Sequence, residues 1–262
     1  MTLPTNSRRN FIRTVAAGII SGLIIPDLLI ASENDLQGKE DKGMVFLFQG
    51  DSITDGNRGR NSDPNHIMGH GYAFSIASRI GCEYPEKNLT FINRGISGNK
   101  ITDLAERWKE DALDLKPDVL SILIGINDTS SSIDASPSNK RVTLQMYEEV
   151  YRSILDQSVK LNPGIILVLN QPFIFKNTST AINWEARHSD LVERQKIVEK
   201  IAFDYKAIFV RLQEVFDMAC KRAPAPYWIW DGIHPTVAGH ELITREWMKQ
   251  VGKQLKWIRK VG

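Results

Sequence analysis

Val45-Phe46-Leu47-Phe48-Gln49-Gly50-Asp51-Ser52-Ile53-Thr54-Asp55-Gly56 is the stretch from which the fold can be read. Its first four residues are apolar without a polar alternation, the pattern of a strand covered on both faces. Glycine and small polar residues follow at once, so the strand ends in a tight turn. The same grammar recurs outward from here. Further strands are expected over Thr90–Asn93, Val119–Ile124, Ile165–Asn170 and Ala207–Arg211. Helices are expected near 71–80, 101–115, 142–161, 185–204 and 212–222, with a last one after Pro235 towards Trp257. Within 101–115, Ile101, Leu104, Ala105, Trp108, Ala112, Leu113 and Leu115 recur at helical spacing, and Pro117 marks the exit. Strands alternating with helices imply a parallel sheet. The expected fold is therefore α/β: a three-layer α/β/α sandwich, flavodoxin-like, with about five strands in a single domain over residues 44–262.

In such sheets ligands collect at the carboxyl ends of the strands. After the first strand stands Gly50-Asp51-Ser52, after the second Gly95-Ile96-Ser97-Gly98-Asn99, and after the third Gly125-Ile126-Asn127-Asp128. Trp230-Asp231-Gly232-Ile233-His234-Pro235 precedes the final helix. Together they offer a hydroxyl, glycine amides, a side-chain amide and an Asp/His pair, the parts that acyl transfer needs. A serine hydroxyl is a weak nucleophile without a base in hydrogen-bond reach, and imidazole titrates in the right range. Asp231, three residues before His234, is close enough to curl back onto Nδ1 and leave Nε2 for the serine. The Ser52 and Gly98 N–H groups and the Asn127 amide are candidate donors to a tetrahedral oxyanion.

These four blocks resemble the SGNH hydrolases, also called the GDSL family of esterases and lipases, over most of residues 44–250. The resemblance implies Ser52 as nucleophile, Asp231 and His234 as its catalytic partners, and Ser52, Gly98 and Asn127 as the oxyanion hole. Gly-Asp-Ser-Ile stands where the family has Leu in the fourth place. Gly-Ile-Ser-Gly-Asn, Ile-Gly-Ile-Asn-Asp and Trp-Asp-x-x-His-Pro-x-Val-Ala-Gly-His look most like bacterial acetylxylan esterases. That implies a short-chain esterase removing O-acetyl groups from a plant-type polysaccharide or its oligosaccharides. The same triad also serves lysophospholipases, thioesterases, arylesterases and acyltransferases, and an inactive carbohydrate-binding relative would keep the frame.

Rival assignments exist for several positions. Ser97 lacks the Gly-x-Ser-x-Gly spacing of a nucleophile elbow. Asp51, Asp55 and Asp128 are rival acids, better placed to brace backbone amides than to orient His234. Arg58 and Arg60 follow the nucleophile in a loop, where they face either sugar hydroxyls or solvent. Trp228 and Trp230 flank the Asp/His approach and suit either sugar contact or packing. Trp108, Trp247 and Trp257 sit in helical segments and read as core. His66 with His70, and His240-Glu241, fall short of metal-ligand patterns, and neither a phosphate loop nor a dinucleotide fingerprint occurs. The expectation is an enzyme without metal or organic cofactor.

The chain has 262 residues, 42% hydrophobic and 24% charged, an ordinary globular balance. Its net charge of +2 comes from the first 31 residues, which carry Arg8, Arg9 and Arg13 against Asp27. Beyond them acidic and basic residues balance, which argues against a nucleic-acid partner. Ser7-Arg8-Arg9-Asn10-Phe11-Ile12-Arg13, followed by 13 uncharged residues, reads as a twin-arginine export signal over 1–31. The apolar run is short of a bilayer span, no clean cleavage site follows, and membrane association is expected only if the signal is retained. Periplasmic or extracellular placement is expected, with residues 32–43 as a polar linker and a homo-oligomer left open. Cys82 and Cys220 allow one disulfide or two buried thiols.

Overall fold

The computed structural model describes residues 43–134, 136 and 139–260. The expected export signal, 1–31, and the linker up to residue 42 lie outside the described residues. Five strands are formed: β1 (Val45–Gly50), β2 (Thr90–Asn93), β3 (Val119–Leu123), β4 (Ile166–Asn170) and β5 (Ile208–Val210). All pair in parallel, in the order β2-β1-β3-β4-β5. In chain order the helices are α1 (Ser52–Asp55), α2 (Tyr72–Glu83), α3 (Ile101–Glu106), α4 (Trp108–Asp111), α5 (Ile126–Ile133), α6 (Leu144–Leu161), α7 (Trp184–Asp204), α8 (Leu212–Ala219), α9 (Ala225–Trp228) and α10 (Val237–Val251).

The continuous apolar runs are explained by two cores, one on each face of the sheet. Phe46, Phe48, Val119, Val168 and Val210 meet Tyr72 and Ile76 of α2, Phe216 of α8 and Trp247 of α10. Their neighbours Leu47, Leu120, Ile122, Leu167 and Leu169 turn the other way, onto Leu104, Trp108, Tyr151, Ile154 and Ile201. Successive strand residues point to opposite faces, so a strand covered on both needs apolar residues throughout. Burying one such side chain contributes about 1.5–3 kcal/mol. Both buried indoles also find polar partners: Trp108 Nε1 donates to Ser158 Oγ at 3.1 Å and Trp247 Nε1 to Ser121 Oγ at 3.0 Å.

The strands form within two residues of their expected limits. The helix expected over 101–115 does not run through. It breaks at Arg107, whose backbone leaves the helical region (φ −107°, ψ 8°). The guanidinium there donates to Asn99 Oδ1 at 2.9 Å and to Gln49 Oε1 at 3.0 Å, and pairs with Asp111 at 2.9 Å. Those anchors outweigh the regular helical pattern of apolar residues. Helices α1, α5 and α9 lie outside the segments that the sequence marks as helical. Cys82 and Cys220 are both free thiols, and Cys82 is exposed rather than buried. Among the described residues no helix is long and apolar enough to cross a membrane.

The sheet order places the carboxyl ends of β2, β1 and β3 side by side. The chain turns from β1 to one neighbour and then to the other, which is the switch point where α/β sheets open a crevice.

Candidate active site

Ser52 is the first residue of a one-turn helix at the end of β1. Asp51 caps that turn, its Oδ1 accepting the Ile53 N–H at 3.0 Å, and the left-handed Gly56 closes it by donating its N–H to Ser52 O. The turn is tied to the loop after β2 from two sides. Asn93, buried at the end of β2, donates to Thr54 O at 2.7 Å and to Met68 O at 3.0 Å while accepting the Gly95 N–H at 2.9 Å. Asp55 accepts the Ser97 N–H at 3.1 Å, accepts the Arg58 N–H at 3.1 Å and pairs with Arg60 at 2.7 Å.

Gly98 follows in this loop with φ +84°, a conformation that side chains with a Cβ rarely adopt, and no atom lies within 4 Å of where its Cβ would stand. The side on which a Cβ would stand is therefore open. Asn127, in the first turn of α5, donates one Nδ2 hydrogen to Asn99 O at 3.1 Å. The second hydrogen of that amide has no acceptor among the described residues.

Asp128 accepts the Ile101 N–H at 3.0 Å through Oδ1, while its Oδ2 is buried without a partner. Burial pushes both the Asp51 and the Asp128 carboxyl up to about 7; the Ile53 N–H opposes the rise at Asp51 and the Asp128 charge adds to it, while at Asp128 the Ile101 N–H and the Arg194 charge oppose it. None of Asp51, Asp55 or Asp128 touches His234. All three hold backbone N–H groups around Ser52, Ser97 and Ile101.

The second half of the site is a loop outside the sheet. Ile229 and Pro235 form an antiparallel bridge, with Trp230 N donating to His234 O at 3.1 Å and Thr236 N to Trp228 O at 2.8 Å. A segment after β4 grips this loop. Phe175 N donates to Gly232 O at 2.8 Å, Asn177 Nδ2 to Trp230 O at 2.9 Å, and Ser179 Oγ to Asp231 O.

Asp231 Oδ1 accepts the backbone N–H groups of Ile233 at 2.9 Å and His234 at 2.7 Å. Its Oδ2 lies 2.6 Å from His234 Nδ1, and His234 Nε2 lies 2.9 Å from Ser52 Oγ. Burial raises the Asp231 carboxyl, but the His234 N–H, the His234 ring and the Ile233 N–H outweigh it and hold it below the ordinary carboxylate range. An ionised carboxylate bonded to Nδ1–H fixes the tautomer that leaves Nε2 free to accept. A hydroxyl, an imidazole and a carboxylate thus form one continuous hydrogen-bonded chain across 182 residues of sequence.

Beside Ser52 opens a cleft of about 350 Å³, lined by Ser52, Ser97, His70, Trp230, His234 and His240. Trp230 is 62% exposed and lies stacked beside His234, with ring centroids 6.3 Å apart. Trp228 is placed differently. It is 7% exposed, packs in the core and donates Nε1 to Ala223 O at 3.2 Å, so the expectation that it faces substrate is corrected. Arg58 donates Nε to Gly95 O at 2.9 Å, and both Nη atoms of Arg60 bind Asp55. Both guanidinium groups therefore serve the loop itself.

Sequence reasoning missed Asn93, the 175–180 segment and His240. Asn93 ends a strand, so the strand-end rule had the means to find it. Asn177 and Ser179 carry no local signal, since their partners lie some fifty residues on.

Residues 48–242 match the model of the GDSL-like lipase/acylhydrolase family. An acetylxylan esterase of Geobacillus stearothermophilus is 34% identical over 220 residues, covering 83% of this chain and 97% of that protein. The crystal structure of Axe2, an acetylxylan esterase of the same organism, superposes with TM-score 0.70 at 33% identity, over 80% of this chain and 95% of that one. A Parabacteroides merdae protein designated GDSL-like lipase superposes with TM-score 0.75 at 38% identity, over 80% and 96%. Sequence and fold agree on one assignment: the chain belongs to the GDSL-like lipase/acylhydrolase family and is a carboxylic ester hydrolase.

Proposed function

We propose that the protein is a serine esterase that removes acetyl groups from carbohydrate hydroxyls through an acyl-enzyme. The observation that carries the reading is the Asp231–His234–Ser52 chain, with contacts of 2.6 and 2.9 Å. His234 Nε2 accepts the Ser52 Oγ proton as Oγ attacks the ester carbonyl. The imidazolium that forms is supported by Asp231. Negative charge gathers on the carbonyl oxygen, where the N–H groups of Ser52 and Gly98 and the uncommitted hydrogen of Asn127 Nδ2 are the donors. Each donor of this kind is worth about 10²–10³ in rate. The tetrahedral intermediate collapses as His234 protonates the departing sugar oxygen, leaving Ser52 acetylated. Water then gives its proton to His234, attacks the acyl carbonyl, and acetate leaves as the proton returns to Ser52 Oγ.

Two observations support an acetylated sugar as substrate. One is the likeness to a protein named acetylxylan esterase along nearly all of its length. The other is the cleft, which combines polar side chains with the exposed face of Trp230, a pairing suited to a sugar's hydroxyl groups and apolar face.

The experiment compares acetate release from acetylated xylo-oligosaccharide with that from a lipid ester and an acyl-chain series of aryl esters. Wild type is expected to prefer acetyl over longer chains and to deacetylate the oligosaccharide. Ser52→Ala is expected to lose all turnover while its circular dichroism is unchanged. Full activity in that variant removes Ser52 from the mechanism, and a preference for long acyl chains moves the substrate to lipids or thioesters.

A further inference from the structure

His240 lines the cleft beside Ser52 and His234 and has no part in the mechanism above. It stands in the first turn of α10, behind the capping Thr236, and reaches across to the start of α2. There its Nδ1 accepts the Tyr72 N–H at 3.1 Å. That N–H belongs to the first helical residue of α2, one of the donors a helix leaves without an internal acceptor. The ring lies parallel to Tyr72, with centroids 6.5 Å apart, and against Gly71, where an added Cβ would stand 3.0 Å from His240 Cε1. The imidazole is thus fixed in position and in orientation.

The acceptor role fixes its proton as well. A nitrogen that accepts a backbone N–H carries no proton, so in the neutral ring the hydrogen sits on Nε2. Nε2 has no hydrogen-bond partner among the described residues, and the side chain is half-buried at the cleft rather than sealed off. Burial, then the charges of His70 and His234, push the His240 imidazole down to about 4. The ring therefore stays neutral while its neighbour His234 gains and loses a proton, and adds no opposing charge to that step.

The cleft also has a side. Its lining includes Ser52, His234 and Trp230 but neither Gly98 nor Asn127. It therefore lies on the side of the base, where the departing alcohol must sit to receive the proton from His234, and does not extend to Gly98 or Asn127. We propose that His240 is a substrate-binding residue whose Nε2–H donates a hydrogen bond to a hydroxyl oxygen of the alcohol portion of the ester, selecting polyhydroxylated leaving groups. The inference rests on the carbohydrate-esterase reading and adds the residue that recognises the sugar side of the bond.

The test separates binding from the structural cap by using two amides that imitate different ring nitrogens. Asparagine places its oxygen where Nδ1 stands and so keeps the acceptor for Tyr72 N–H while deleting the outer donor. Glutamine reaches far enough to restore a donor near Nε2. The readout is the ratio of kcat/KM on acetylated xylo-oligosaccharide to that on 4-nitrophenyl acetate. His240→Asn is expected to lower this ratio about three- to tenfold, mainly through KM, the worth of one net hydrogen bond. His240→Gln is expected to recover part of it. An unmoved ratio in His240→Asn, in a variant that melts like wild type, overturns the proposal.

Imidazole nitrogen NMR of the wild-type protein supplies a second measure that needs no substrate. One bare Nδ1 and one protonated Nε2 for His240, unchanged between pH 8 and about pH 5.5, are expected. A proton on Nδ1, or a doubly protonated ring in that range, overturns the proposal equally. If wild type cleaves the aryl ester but releases no acetate from the oligosaccharide, the carbohydrate reading itself falls, and the inference falls with it.

Discussion

The two halves of the candidate site are built on different principles. Ser52, Gly98 and Asn127 stand at the ends of three adjacent strands, tied together by Asn93, Asp55 and Asp128, whose side chains are buried or nearly so. Asp231 and His234 stand on a surface loop beyond the last strand, held by Asn177, Ser179 and the Phe175 backbone. One half takes its geometry from the sheet and places carboxyl groups out of reach of water. The other takes it from a handful of exposed hydrogen bonds. The lesson is that a group whose charge must change belongs near solvent, while groups that only donate are best set rigidly into the fold.

The sharpest way to break this comparison is to change the proton bookkeeping of the exposed half. Asp231→Asn keeps the shape of the loop but loses the charge that fixes the His234 tautomer. A fall in kcat of about 10⁴-fold with an unchanged melting temperature is expected, measured by acetate release. A loss of less than tenfold would show that the loop alone orients the ring.

The buried half answers through stability. Asp128 is pushed up to about 7 in the folded protein, against about 4 for an unfolded Asp. A carboxyl raised by folding stabilises fully below its unfolded value, and that contribution is lost as the pH climbs through 7. Three pH units correspond to about 4 kcal/mol at most. Urea midpoints of wild type are therefore expected to decline relative to Asp128→Asn between pH 4 and pH 8. A constant difference between the two proteins across that range would place the Asp128 charge in contact with water.

The smallest effect is expected from loosening the grip on the loop. Asn177→Ala removes one bond to Trp230 O, and a drop in kcat of roughly tenfold is expected from the misplaced base, with KM little altered. An unchanged kcat would mean that Ser179 and Phe175 suffice to hold the loop.

The same contrast explains what was legible in the sequence. The half set in the sheet announces itself locally: an apolar run, a glycine, then a functional residue, three times over. Asp231 and His234 were legible because their interaction spans three residues. The grip of Asn177 and Ser179 was not, since nothing near them in sequence hints at a partner on another loop. Trp228 and Trp230 are two residues apart in an aromatic cluster, and only packing distinguishes the buried one from the exposed one. The helix break at Arg107 was hidden for a related reason, because apolar spacing continues through it while the deciding contacts are to Gln49 and Asn99.

The three-residue separation of acid and base has a geometric result. Since Asp231 binds both the backbone N–H and the ring of His234, carboxylate and imidazole are joined at two points within the same loop. Displacing the loop as a unit then alters how Nε2 meets the Ser52 hydroxyl, in distance and in angle, while the pair's own alignment is carried along.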